Sequence, residues 1–99
     1  MAKLIRDKIP EIIRKNGKVP VTHTASDEEY KEGLKNKLQE EFKEFFESES
    51  DEEMADILEV IYAICDYKKF DKKKLEILRM KKAKERGKFK KKIILDEIK

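Results

Sequence analysis

The stretch Lys37-Leu38-Gln39-Glu40-Glu41-Phe42-Lys43-Glu44-Phe45-Phe46, followed after a short polar break by Glu53-Met54-Ala55-Asp56-Ile57-Leu58-Glu59-Val60-Ile61, decides the fold. In both pieces apolar residues return at three- and four-residue intervals, which places them on one face of an α-helix. The first face extends backward through Leu34 and Tyr30, and the second forward through Ile64, so two amphipathic helices are predicted, from Asp27 to about Glu47 and from Asp51 to about Tyr67. Ser26 followed by Glu29 reads as a capping box that starts the first. Gly33 reads as a local weakness within it. Asp51 supplies negative charge at the start of the second, and the break Ser48 to Ser50 is short enough to make the two helices antiparallel neighbours.

Outward from this pair the signals are shorter. Met1 to Asn16 reads as an irregular lead with one or two helical turns, Pro10 near the start and Gly17 as the stop. Lys18 to Ala25, with Pro20 and several β-branched residues, reads as an extended connector. After the central pair, Asp71 is the expected N-cap of a further helix that turns Leu75, Leu78 and Met80 inward and stops at Gly87. Phe89 and Ile93 to Leu95 either form a short extended piece or dock along the helices.

Ninety-nine residues suffice for one domain, 1–99, and the expected class is all-α: an antiparallel bundle of about four helices. Apolar residues make up only 38% of the chain against 47% charged, which gives helices narrow apolar stripes. A core of that kind is expected to be completed by oligomerisation, as a homodimer or higher homo-oligomer. The lone Cys65 lies in an apolar run and reads as a buried thiol in a reducing compartment. With no leader-like segment and no run of eighteen apolar residues, neither export nor membrane spanning is expected, and the location is expected to be cytoplasmic. The net charge of +3 hides an uneven distribution: Lys68 to Lys92 carries fourteen Lys/Arg against three acidic residues, while the rest of the chain is acidic overall. Such a segment suits a polyanion or a merely solvated face, and with only Phe70 and Phe89 available for stacking, nucleic acid is not the expected partner.

The chemistry is read from the phase of the carboxylates. At about 100° per residue, with Glu41 at zero, Leu34 falls at about 20°, Phe45 at about 40° and Leu38 at about 60°. Glu41 therefore stands in the middle of the apolar stripe, with Glu44 and Lys37 on its edge. On the second helix, with Glu53 at zero, Ile57 lies at about 40°, Val60 at about 340° and Asp56 at about 300°. Four carboxylates converging from two helices repel one another strongly in a low dielectric unless a cation sits among them. Oxygen donors without accompanying nitrogen or sulfur, His23 being distant, fit Mg²⁺, with Mn²⁺ as an alternative. The expected metal ligands are Glu41, Glu44, Glu53 and Asp56. Ion pairing of these acids with Lys37, Lys43 or the basic segment accounts for surface pairs but not for Glu41 in mid-stripe.

These residues resemble the all-α nucleoside triphosphate pyrophosphohydrolases that include MazG and phosphoribosyl-ATP pyrophosphatase. The family's E-E-x-x-E followed by E-x-x-D corresponds to Glu40-Glu41-Phe42-Lys43-Glu44 and Glu53-Met54-Ala55-Asp56. The opening Lys3-Leu4-Ile5-Arg6-Asp7-Lys8-Ile9-Pro10 and the closing Arg86-Gly87-Lys88-Phe89 look like the ends of a compact MazG-like subgroup described as phosphoribosyl-ATP pyrophosphohydrolase-like. Lys88 departs from that pattern, which has a second glycine there. The resemblance implies Mg²⁺-dependent hydrolysis of a nucleoside triphosphate, or a phosphoribosyl-ATP-like substrate, between its α and β phosphates to give a monophosphate and pyrophosphate. Glu40, Glu41 and Glu44 are then the expected catalytic carboxylates, with Glu40 a base or an orienting group beside the metal ligands. Lys37, Arg6, Lys8, Lys82 and Arg86 are the expected contacts to the phosphates. The rival reading is a non-catalytic dimeric helical module that binds nucleic acid or nucleotide through the basic C-terminal segment.

Overall fold

In a computed structural model that describes residues 2–99, four helices follow one another along the chain and no strand occurs among the described residues. They are α1 (Ile9–Lys15), α2 (Asp27–Ser48), α3 (Asp51–Lys68) and α4 (Lys72–Arg86). Met1 lies outside the described residues.

At α2, α3 and α4 a side chain satisfies free backbone N–H groups of the first turn, whereas α1 has no such cap. Pro10 occupies the first turn of α1, where no amide donor is needed. At α2 the Ser26 hydroxyl accepts from the Glu29 N–H at 3.2 Å. Only this half of the capping box forms, because the Glu29 carboxylate turns instead to His23 Nε2 at 2.9 Å. At α3 Ser50 is the N-cap, its hydroxyl accepting from the Glu53 N–H at 3.2 Å, and Asp51 brings negative charge to the first turn as expected. Asp71 caps α4 as expected, taking the N–H groups of Lys73 and Lys74. The turn between α2 and α3 needs only two residues because Glu49 adopts the left-handed conformation at φ 52°, which reverses the chain sharply.

That reversal lays α3 antiparallel on α2, and this pair carries the helix packing of the chain. At its open end the Tyr30 and Tyr67 rings meet edge to face at 5.5 Å, and the Tyr67 hydroxyl donates to Asp27 at 3.1 Å. The core between the helices is narrow, consisting of Leu34, Ile57, Val60 and Cys65. The expectation of a buried Cys65 thiol is met.

The N-terminal segment crosses α2 at Gly33. A Cβ at Gly33 would lie 3.3 Å from the Leu4 Cβ, so the missing side chain is what lets residues 2–7 approach the helix closely. Gly33 is thus a contact point as well as a weak spot in the helix.

The C-terminal third departs from expectation. Leu75, Leu78 and Met80, expected to face inward, are about half exposed, because α4 does not lie along the α2–α3 pair. Phe89, Ile93, Ile94 and Leu95 dock on nothing within the chain and form no strand; a turn at Phe89 to Lys92 precedes an exposed tail. The molecule therefore measures 60 × 31 × 24 Å, and its radius of gyration is 18.0 Å against about 13 Å for a compact chain of similar length. No described helix is long and apolar enough to cross a membrane.

Candidate functional site

In the half of the α2–α3 seam nearer the connecting turn, α2 turns Glu41 into the interface where an aliphatic residue would ordinarily stand. Glu41 is 5% exposed, as buried as Ile57 across the seam. From α3, one turn apart, come Glu53 and Asp56. One carboxylate oxygen from each of the three lies within 4.8 Å of the others. The sequence-derived phase therefore describes the arrangement correctly for Glu41, Glu53 and Asp56. Glu44 stands one turn along α2 and is not part of this closest group, but its charge acts on Glu41.

The polar atoms of the cluster are incompletely matched. Glu41 Oε1 faces Lys37 Nζ at 3.4 Å, whereas Glu41 Oε2 and Glu53 Oε2 are buried without a hydrogen-bond partner. Burial first, then the neighbouring Glu44 charge, pushes the Glu41 carboxyl above the usual carboxylate range; Lys37 opposes the shift and Asp56 adds to it. An unpartnered buried carboxylate oxygen is costly, and both such oxygens belong to carboxylates of this one cluster, where a hard cation would satisfy them. The donor set is all oxygen, which suits Mg²⁺, Mn²⁺ or Ca²⁺ rather than a metal that prefers nitrogen or sulfur.

Two basic side chains reach the cluster. Arg6, delivered by the N-terminal segment, places Nη2 2.6 Å from Asp56 Oδ1. Lys37 sits between Glu41 and Glu40, 3.4 Å from each. Burial pushes the Glu40 carboxyl up, but Lys37 and then Lys3 outweigh it and hold the group below its ordinary value. Glu40 is therefore ionised at neutral pH, while Glu41 beside it resists ionisation.

The other basic residues singled out by sequence lie elsewhere. Lys8 is exposed at the start of α1. Lys82 and Arg86 are exposed on α4, and among the described residues the ion pairs to the cluster come from Arg6 and Lys37 instead. Lys3, which reaches Glu40 at 3.5 Å, was not singled out by the sequence reading. The only signal that could have found it is its place three residues before Arg6 in the same short segment.

No family model matches the chain, and no solved structure matches it. It is similar to a protein of Mycolicibacterium smegmatis (strain ATCC 700084 / mc(2)155), described as an uncharacterized protein, with 54% identity over 44 residues. That match covers 44% of this chain and 45% of the other, so the similarity spans less than half of either protein.

Proposed function

We propose that this protein is a Mg²⁺-dependent nucleotide pyrophosphohydrolase. It cleaves a nucleoside triphosphate, or a phosphoribosyl-ATP-like substrate, between the α and β phosphates, giving a monophosphate and pyrophosphate. The observation that carries the reading is the buried Glu41 carboxylate, with one oxygen unpartnered, grouped with Glu53 and Asp56. The E-E-x-x-E and E-x-x-D strings that resemble the all-α pyrophosphohydrolases contain these same three residues.

Glu41, Glu53 and Asp56, with Glu44 beside them, hold the metal. Bound there, Mg²⁺ neutralises phosphate oxygens and lowers the pKa of a water. The protein's own side chains supply the rest. Lys37 and Arg6 stand against the cluster and offset polyphosphate charge as the substrate arrives. Glu40, kept anionic by Lys37 and Lys3, accepts a hydrogen bond from the attacking water and orients it.

Arg6 has two claims on it: Asp56 in the metal-free chain, and the phosphates in the complex. Metal and guanidinium compete for Asp56, so Arg6→Ala is expected to tighten Mn²⁺ binding in the absence of nucleotide by about two- to fivefold, the scale of one exposed ion pair. The same change weakens nucleotide binding. Calorimetric titrations of the two ligands into the variant check both directions.

The active form is a homo-oligomer in which a second copy completes the helical bundle. Met54, Leu58 and Tyr62 recur every four residues on α3 and remain partly exposed, as do Phe42 and Phe46 on α2.

Pyrophosphate release from a panel of nucleotides in Mg²⁺ tests the reading. Metal-dependent release from at least one is expected; none from any member, with salt-sensitive capture of a duplex by the basic segment in the absence of metal, is the result that favours the nucleic-acid module.

A further inference from the structure

A trough of about 750 Å³ opens between the N-terminal segment, the connector 21–25 and the outer face of α2. It is bounded by Leu4 on one side, by Val21 and Thr22 on another, and by α2 from Glu29 to Glu40 along its floor, a run of about 16 Å at 1.5 Å per residue. The volume falls within the range of ordinary small-molecule sites, about 300–1,000 Å³.

The trough and the carboxylate cluster adjoin. Arg6 and Lys37 line the trough and also pair with Asp56 and Glu41, so a ligand that reaches from the cluster past these two side chains enters this space. The charges are also ordered along it. Lys3, Arg6 and Lys37, with Asp7 next to Arg6 in the chain, gather near Glu40, whereas Glu32 and the Glu29 carboxylate, which is paired with His23, stand two to three turns back on α2. An anionic tail is drawn to the first end and repelled from the second.

The far end offers what an uncharged, flat and partly polar group requires. Leu4 and Val21 provide aliphatic surface, and midway along the floor, between Glu32 and Glu40, the Asn36 amide both donates and accepts hydrogen bonds. Among the described residues, no backbone N–H or C=O from 19 to 25 is engaged by another backbone group, which leaves the connector's main chain free to read a planar edge. Gly33 allows the Leu4 wall to stand this close to the helix floor.

We infer that this trough is the nucleoside subsite: it takes the sugar and base of a nucleoside polyphosphate whose phosphates lie at the Arg6–Lys37 end. The inference rests on the pyrophosphohydrolase reading and adds to it where the base is held and which residues discriminate among bases.

The test compares two anions in the presence of Mn²⁺: α,β-methylene analogues of the nucleoside triphosphates, which have both parts, and inorganic tripolyphosphate, which has only the anionic tail. Asn36 is exposed, so Asn36→Trp fills the trough without entering the core, and Asn36→Ala removes the amide without filling it. Calorimetry is expected to show the preferred analogue weakened tenfold or more by Asn36→Trp and severalfold by Asn36→Ala, with tripolyphosphate changed by less than twofold in both. Circular dichroism checks that helicity is unchanged. An analogue affinity untouched by both variants, or equal weakening of analogue and tripolyphosphate, overturns the nucleoside subsite while leaving the metal and phosphate site standing. Absence of Mn²⁺ and tripolyphosphate binding in the unaltered chain overturns the pyrophosphohydrolase reading, and the subsite with it.

Discussion

Glu41→Gln is expected to abolish pyrophosphate release and, at the same time, to raise the melting temperature of the metal-free protein. The two effects have one cause. The Glu41 carboxylate is buried, has one oxygen without a partner, and shares its site with Glu53 and Asp56. With metal bound, its charge is what holds the ion, and its loss should exceed the roughly 10- to 100-fold that removal of an outer partner costs a metal site.

Without metal that charge is a liability, and its pH dependence has a definite sign. Burial and Glu44 raise the folded-state value above 4.5, so the folded chain binds more protons than the unfolded one between 4.5 and the raised value. Stability of the metal-free protein therefore falls as pH rises through that window, and the penalty is fully present above it. Glu41→Gln removes this dependence while Lys37 keeps its contact with Glu40. A gain of about 1 kcal/mol corresponds to a rise of roughly 4–8 °C for a domain of this size. Asp56→Asn separates the two effects: its carboxylate is partly exposed and paired with Arg6, so release is lost without the thermal gain. Thermal melts at several pH values, with and without Mn²⁺, check the linkage, and a pyrophosphate assay checks the activity.

The second large effect is on assembly. On the proposed homo-oligomeric assembly, Leu58→Glu is expected to give single chains. Leu58 lies between Met54 and Tyr62 on the exposed side of α3, with Phe42 and Phe46 on the neighbouring helix. Burying a leucine is worth about 1.5–3 kcal/mol. Because each copy contributes one, a dimer loses about 3 kcal/mol even at the lower figure, which is more than a hundredfold in the dissociation constant. Light scattering after size exclusion is expected to report a multiple of the chain mass for the unaltered protein and the single-chain mass for the variant. A melting point that rises with protein concentration only in the unaltered chain gives independent evidence.

Helix periodicity and phase were legible in the sequence because they are local. A repeat of 3.6 residues carries its own frame, so the inward turn of Glu41, Glu53 and Asp56 followed from counting residues along single helices. The caps were partly legible for the same reason. Asp71 stands alone at its helix start, but Ser26-Asp27 and Ser50-Asp51 each put two good capping residues side by side, and the backbone conformation selects the serine in both. Half of the Ser26–Glu29 box was lost to a side chain from the connector, His23, whose approach to Glu29 no helical rule describes.

What depended on distant segments was not legible. Gly33 looks like a weak point in a helix until Leu4, twenty-nine positions earlier, is seen against it. The trough is assembled from three separate pieces of chain, and no spacing along any one of them signals it. For α4 the apolar spacing was read correctly but its destination was not: Leu75, Leu78 and Met80 form a stripe that finds no cover within the chain. A stripe in sequence marks a surface suited to burial and does not say against what.

The central claim is that the α2–α3 seam is built to bind a divalent ion. Calorimetric titration of Mn²⁺ and Mg²⁺ into the metal-free protein, with and without a nucleoside triphosphate analogue, tests it most directly. Saturable heat that disappears in Glu41→Gln is the predicted result. No heat from either ion under either condition, or equal binding to the Glu41→Gln variant, would contradict it.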